Sequence, residues 1–377
     1  MTPPSRIQSI TPYLYRIPLQ TPVVTSFGTM RARSALFVAV EDTEGHRGWG
    51  EVWCNFPDSG AQHRYRLLHE VFMPLLLDQS ATTPAQLMAE VKQKIRILRL
   101  QTAEFGPLDQ CAAGLDCALW DLHARQQGRP LYQVLGGTSP RLPAYASGIN
   151  PGGVQDTIAQ ARQAGHTAFK VKVGFGEEVD VRTLRAARDA VGEHFLAADA
   201  NQAWSVETTL HMADTLDAFG LQWLEEPIAA DSTASDWQRL SQTLHTPLAA
   251  GENINRLSDF EDATRTWGLR YMQPDLAKWG GISECLQVVA LCRSQGITYC
   301  PHYLGGGIGL MASAHLLAAS NQSGWLEMDV NPNPLRSEVL GEHLTVHEGH
   351  VTLNSSPGIG FDPDLDALQR YAQNPSI

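Results

Sequence analysis

No run of apolar residues in this sequence approaches the roughly 18 that a membrane-spanning helix needs, so no membrane span is expected. Cysteine is sparse as well: Cys54, Cys111, Cys117, Cys285, Cys292 and Cys300 are six in 377 residues, with no CxxC pair and no His-containing zinc spacing. That excludes a disulfide framework or a zinc ribbon, and scattered thiols in a long chain point to a reduced, cytoplasmic protein. Met1 to Gln20 holds no charged head followed by an apolar stretch, so no secretory leader is expected. Basic residues are also in deficit. Against 40 acidic side chains stand 28 lysines and arginines, a formal net charge of −12, which argues against binding nucleic acid. An anionic small-molecule substrate stays compatible with that charge, because a metal ion and a few lysines can reverse the field locally.

What the sequence does have is a repeat. Its hydrophobic share of 43% is that of an ordinary globular protein, and its length allows a full-size barrel plus a second domain. From Leu142 onward, short apolar runs recur, each followed by a longer helical pattern. They are LPAYAS (142–147), AFKVKV (168–173), HFLAADA (194–200), LQWLEEP (221–227), PLAAGE (247–252), RYMQPD (270–275), ITYCPH (297–302) and GWLEMD (324–329). Eight strands alternating with helices predict a (β/α)8-type barrel with a parallel sheet. Gly165, Gly192, Gly220 and Gly296 stand where a helix should stop before the next strand. Residues 1–135 read instead as an α+β capping domain. There, two alternating segments flank a loop around Thr21–Arg33, and helices follow over 61–77, 84–100 and 108–127. The barrel is expected over 136–338, and the segment 339–377 is expected to return to the capping domain.

Lys172, Asp199, Glu225, Glu252, Asp275, His302 and Glu327 each lie at or near the end of a run, at successive intervals of 27, 26, 27, 23, 27 and 25 residues. A charge inside a barrel strand is costly unless paired or bound to a metal. Placed at the C-terminal ends, these seven converge on one mouth, where barrel active sites lie. Asp199, Glu225 and Glu252 end consecutive strands, and three carboxylates with no soft ligand suit a hard divalent cation, Mg²⁺ before Zn²⁺. Glu226 is one residue along and should point to the opposite face of its strand.

Lys170 and Lys172 alternate with apolar neighbours and so share a face, where each ammonium should lower the other's proton affinity. Asp275 can hold one nitrogen of His302 and set its tautomer. Among neighbouring carboxylates, the pKa of Glu327 should rise until it can donate to a developing oxyanion. Gly305–Gly307 and Gly309 form a loop whose amides could cradle a phosphate or carboxylate, or merely a tight turn into the next helix.

KVKV (170–173), DANQAW (199–204), WLEEP (223–227), GEN (251–253), QPDLAKWGG (273–281), PH (301–302) and WLEMDVN (325–331) resemble the motif series of the mandelate racemase subgroup of the enolase superfamily. GWGEV (48–52) and the helix over 111–137 extend the resemblance to the N-terminal domain. The resemblance implies one Mg²⁺ held by Asp199, Glu225 and Glu252, with Lys172 as a base assisted by Lys170. It also implies Asp275–His302 as a second acid/base, Glu327 as hydrogen-bond donor to an enediolate, and Asn201 near the site. A homo-oligomer acting on a small carboxylate is implied as well. The sequence departs from the muconate-cycloisomerase and dipeptide-epimerase branches, which carry a second lysine on the sixth strand, where Asp275 stands here; Lys278 is read as structural. Phe27, Trp53, Phe56 and Tyr303 are candidate lining residues. Dehydration of an acid sugar is favoured, racemisation or epimerisation is the alternative, and a barrel holding only a structural ion is a remote third.

Overall fold

The computed structural model describes residues 5–25, 28–80 and 83–373. The chain opens with three antiparallel strands, β1 (Ile7–Thr25), β2 (Gly28–Asp42) and β3 (Arg47–Val52), paired in that order. The loop expected over Thr21–Arg33 is largely absent. Instead β1 and β2 stay paired out to Thr25 and Gly28, after a register shift between Pro18 and Val23. Side chains of β2 alternate between two cores, as strand geometry requires. Leu36, Val38 and Val40 join the helices of the first domain, while Ala35, Phe37 and Ala39 join the core shared with the barrel.

The helix Phe105–Gln126, buried along most of its length, lies directly on β3. Glycine permits that approach. A Cβ at Gly50 would run into the Gly114 carbonyl oxygen, and one at Gly48 into that of Ala118. Helical turns over Gly60–Leu76 and the helix Pro84–Thr102 complete this layer.

Every apolar run of the second half contains a strand. These are β4 (Arg141–Ile149), β5 (Phe169–Lys172), β6 (Leu196–Asp199), β7 (Leu224–Glu225), β8 (Leu248–Ala250), β9 (Tyr271–Met272), β10 (Thr298–Tyr299) and β11 (Leu326–Asp329). All eight are parallel, in the order β10-β9-β8-β7-β6-β5-β4-β11, as expected for a (β/α)8-type barrel. Among the described residues the two ends of this sheet meet through side chains. Tyr299 N donates to Gln322 Oε1 at 2.8 Å, and Cys300 Sγ to the Trp325 carbonyl at 3.3 Å. Tyr145, Trp223, Tyr271, Phe195 and Trp325 fill the barrel interior below the mouth, so the barrel is a packed core with an aromatic floor.

The last segment divides. β12 (His350–Thr352) pairs with the barrel strand β4, and only β13 (Ala372–Gln373) returns to β1 of the first sheet. The strand-like LTVHEGHVTL thus closes the barrel side, because its edge partner is the exposed start of β4. All six cysteines are free and buried. Among the described residues no helix is long and apolar enough to cross a membrane.

Candidate active site

The parallel register lines up the mouth. Lys172 lies opposite Asp199, and Asp199 opposite Glu225, so the three side chains rise as a row from adjacent strands. Lys170 sits two residues deeper on the same face, fully buried, its Nζ 5.4 Å from the Tyr145 ring centre. Just beyond β6 and β7 the backbone is strained: Asn201, Gln202 and Glu226 have φ of 44°, 64° and 37°, left-handed values that side chains rarely adopt. Hydrogen bonds hold the turn. Asn201 N donates to Asp199 Oδ1 at 2.8 Å, and Gln202 N to the Glu226 carbonyl at 2.7 Å. The strain therefore fixes where Asp199 and the acids of β7 point.

The carboxylates are engaged by three lysines. Lys170 Nζ lies 2.6 and 2.8 Å from the two Glu225 oxygens, 2.8 Å from Glu327 Oε1 and 3.7 Å from Asp199 Oδ2. Lys172 Nζ is paired with Asp199, and Lys278 Nζ donates to Glu252 Oε2 at 2.9 Å and Asn253 Oδ1 at 2.7 Å. Mutual depression of Lys170 and Lys172 does not prevail. Burial works against both ammoniums, but Glu225 and Glu327 hold Lys170 well above the usual lysine range, and Asp199 raises Lys172 despite Lys170 beside it. Burial pushes Glu225 up to about 7, with Asp199 adding to it. For Glu252, burial is outweighed by His302 and Lys278, which hold it far below the usual range. Glu226 also turns inward: it is buried and accepts both hydrogen bonds of the Asn253 amide, at 2.8 and 3.1 Å.

Asp275 and His302 meet as the sequence suggests, Oδ2 to Nδ1 at 2.9 Å. The other imidazole nitrogen lies 3.5 Å from Glu252 Oε2 and 4.0 Å from Glu327 Oε2. Burial opposes the charged ring, yet Glu252, Glu327 and Asp275 together raise His302 to about 9. Glu327 departs from expectation. Its pKa is lowered, because Lys170 and His302 outweigh burial and Ser147 Oγ donates to Oε1 at 2.5 Å. In this state Glu327 is an acceptor, and it also takes the Tyr303 amide at 3.1 Å.

The donor set suits a hard divalent ion in kind: Asp199, Glu225 and Glu252 offer only oxygens, from three consecutive strands. Charge points the same way, since Asp199, Glu225, Glu226, Glu252, Asp275 and Glu327 outnumber Lys170, Lys172 and Lys278. As the side chains lie, those oxygens face lysines, and among the described residues no three acids, histidines or cysteines are grouped closely enough to grip an ion. An incoming cation would therefore exchange places with ammonium groups at the carboxylates.

Lys172, His302, Glu252, Glu327 and Asn201 line one cavity of about 300 Å³, roofed by Trp53, Phe56 and Met30 of the first domain. Lys170, Asp199, Glu225 and Asp275 lie beneath it. Tyr303 does not line it: the ring turns toward Gly305 and Gly309 at the domain interface, and its amide serves Glu327 instead. Phe27 lies outside the described residues. Lys278 is more than structural packing, since its side chain lines the cavity, with Nζ 5.4 Å from the Trp53 ring centre. Arg33, Ser147 and Asn331 also line it and were not anticipated. Extending the strand-end rule from charged to hydroxyl side chains would have found Ser147; Arg33 ends the segment Thr21–Arg33 that was expected as a loop, and it reaches the cavity from β2 instead.

The glycine loop holds a carboxylate already, and it is the chain's own. Gly306 N and Gly309 N donate to Glu51 at 2.5 and 2.9 Å, which leaves those two amides engaged rather than presented to a phosphate.

Family comparison agrees with this architecture. The model described as "Enolase C-terminal domain-like" matches residues 153–367, and "Mandelate racemase / muconate lactonizing enzyme, N-terminal domain" matches residues 10–136. The chain is 46% identical to a crystal structure named mandelate racemase/muconate lactonizing enzyme from Bordetella bronchiseptica RB50, with a TM-score of 0.90 and coverage of 98% of this chain and 100% of that one. It is 27% identical to a racemase from Streptomyces coelicolor A3(2) solved with bound magnesium, with a TM-score of 0.88 and coverage of 97% and 100%. Arabinonate dehydratase of Saccharolobus solfataricus is 29% identical over 340 residues, covering 88% of this chain and 89% of that protein.

Proposed function

The chain belongs to the mandelate racemase / muconate lactonizing enzyme family of the enolase superfamily, and from that premise we propose that it removes the proton α to the carboxylate of a sugar acid and expels the β hydroxyl, giving a 2-keto-3-deoxy acid. The observation that carries the proposal is that Lys172 on β5 and His302 beyond β10 reach one cavity, with the carboxylates of β6 to β8 on the arc between them. Asp199, Glu225 and Glu252 would hold Mg²⁺, the ion bound in the Streptomyces coelicolor racemase. When bound, the ion supplies positive charge that acidifies the α proton of a coordinated carboxylate.

The rest falls to the chain's own groups. Lys172, once freed from Asp199 and relieved of its own proton to solvent, takes the α proton as general base and becomes an ammonium again. Lys170, wedged between Glu225 and Glu327, neutralises negative charge growing on the substrate carboxylate. His302, held by Asp275, delivers a proton to the departing hydroxyl. Trp53 and Phe56 cover the cavity and keep water from the carbanion-like species.

Dehydration is supported by the similarity to arabinonate dehydratase. Along the cavity wall, Asn55, Asn150, Gln202 and Asn331 also offer partners for several hydroxyls. Racemisation or epimerisation stays as a second reading, because a lysine and a histidine reaching one cavity could protonate either face. A panel of sugar acids and α-hydroxy acids with Mg²⁺ in D₂O, followed by proton NMR, separates them. A 2-keto-3-deoxy product, absent with Lys172→Ala, establishes dehydration. Deuterium at the α carbon without loss of water establishes the second reading, and no exchange with any acid sinks both.

A further inference from the structure

The two oxygens of Glu225 are not equivalent. Oε2 takes three donors: Lys170 Nζ at 2.6 Å, Gln273 Nε2 at 2.7 Å and Trp223 Nε1 at 3.2 Å. Among the described residues Oε1 takes Lys170 alone, at 2.8 Å. A cation repels the ammonium but not the amide or the indole, so Gln273 and Trp223 are the donors that can stay on Oε2 when a metal arrives. Gln273 is 1% exposed and follows β9, with β8 between it and Glu225 on β7. Its side chain crosses the barrel interior, where β8 offers only Ala249 opposite Glu225 and Gly251 against the Gln273 backbone. A Cβ on Gly251 would come within 2.7 Å of that backbone, and Gln273 N is tied to the Ala250 carbonyl at 2.8 Å. The reach has a cost. Gln273 Oε1 is buried with no hydrogen-bond partner, and an idle buried acceptor is unfavourable. The reverse orientation would be worse, since it would set the amide oxygen against a carboxylate. A buried amide held in this way to donate one hydrogen bond to one carboxylate oxygen fixes where that carboxylate points.

We propose that Gln273 is a positioning residue that pins Glu225 Oε2, so that the carboxylate offers a divalent cation Oε1 alone, and that this sets a preference for Mg²⁺ over Ca²⁺. The inference rests on the reading of Asp199, Glu225 and Glu252 as metal ligands. Mg²⁺ demands a small, near-octahedral shell, which carboxylates binding through one oxygen fit. Ca²⁺ accepts about six to eight oxygens and takes both oxygens of one carboxylate without strain. A pinned Oε2 therefore suits the smaller ion. Released from Gln273, Glu225 can turn both oxygens to the ion, and the wider shell favours Ca²⁺.

The test is calorimetry of Mg²⁺ and Ca²⁺ binding to metal-free wild type, Gln273→Met and Gln273→Asn. Methionine keeps the volume without a donor, and asparagine keeps the amide but falls short by one methylene. The variant whose metal-free melting temperature stays closer to that of wild type carries the comparison. Its Mg²⁺ affinity is expected to fall by about tenfold or more, the usual effect of removing a support behind a metal ligand. Its Ca²⁺ affinity should hold or rise, so that the preference for Mg²⁺ shrinks. Equal losses for the two ions would make Gln273 part of the barrel's packing and overturn the inference, and so would an unchanged Mg²⁺ affinity. A wild type that binds the two ions equally well would leave no preference for Gln273 to set, which also overturns it. If wild type binds neither ion, the metal reading itself fails and takes this inference with it.

Discussion

Glu51, at the end of β3, sets its carboxylate on the amides of Gly306 and Gly309, 2.5 and 2.9 Å away across the domain boundary. Burial raises its pKa from the ordinary 4.5 to about 7, although the two amides pull the other way. A carboxyl whose folded pKa exceeds its unfolded value ionises less readily in the folded chain. Its contribution to stability therefore falls as pH rises from about 4.5 through 7, then levels. Denaturant unfolding at pH 5 and pH 8 should show wild type losing about 2 kcal/mol relative to Glu51→Gln over that interval. A difference that does not change with pH would mean that the carboxylate is ionised at both.

Three lysines now engage the carboxylates that magnesium would occupy, so metal binding should show without any substrate. Adding Mg²⁺ to metal-free protein should raise the melting temperature, by an amount equivalent to about 2.7 kcal/mol at a hundred times Kd. In Glu252→Gln the rise should shrink sharply, because one of the three proposed ligands has lost its charge. Chelation should abolish proton exchange in the wild type. A melting temperature indifferent to Mg²⁺ would remove the metal from the site.

In the proposed mechanism Asp275 acts through His302. Its Oδ2 meets Nδ1 at 2.9 Å and leaves Nε2 toward Glu252 and Glu327. Asp275→Asn should lower turnover by about a hundredfold or more, as expected when general acid–base catalysis is lost. The metal-induced rise in melting temperature should persist, since Asp275 is not among the proposed ligands. Loss of both together would make Asp275 a support for the whole mouth.

Much of this site could be read from the sequence because a barrel repeats. Lys172, Asp199, Glu225, Glu252, Asp275, His302 and Glu327 recur about once per βα unit, and that period carries each to the mouth whatever its partners are. Partners do not follow from a period. Whether Lys170 is lowered by Lys172 or raised by Glu225 and Glu327 depends on distances of a few ångströms, and the carboxylates win. Arg33 reaches the cavity from β2, at a place where a loop was expected, and Tyr303 turns away because Gly305 and Gly309 leave it room. The glycine loop looked open to an outside anion because its occupant, Glu51, lies 255 residues earlier than Gly306. The β1–β2 hairpin outran its expected loop because ladder pairing persists through a polar stretch.

The aromatic floor determines how firmly the mouth is held. Trp223 is fully buried, with its ring centre 5.3 Å from Tyr145, 5.1 Å from Phe195 and 4.8 Å from Tyr271, and its Nε1 donates to Glu225 Oε2 at 3.2 Å. Two contributions can be separated by substitution. Trp223→Ala empties the floor and should cost about 3–5 kcal/mol by denaturant unfolding. Trp223→Phe keeps most of the ring volume and loses the donor to Glu225, so about 1–2 kcal/mol is expected. If Trp223→Phe were as damaging as Trp223→Ala, the bond to Glu225 would outweigh the packing, and the floor would matter chiefly as an anchor for that carboxylate. If both were mild, neighbouring rings must close over the gap, and the mouth would stand on its ion pairs alone.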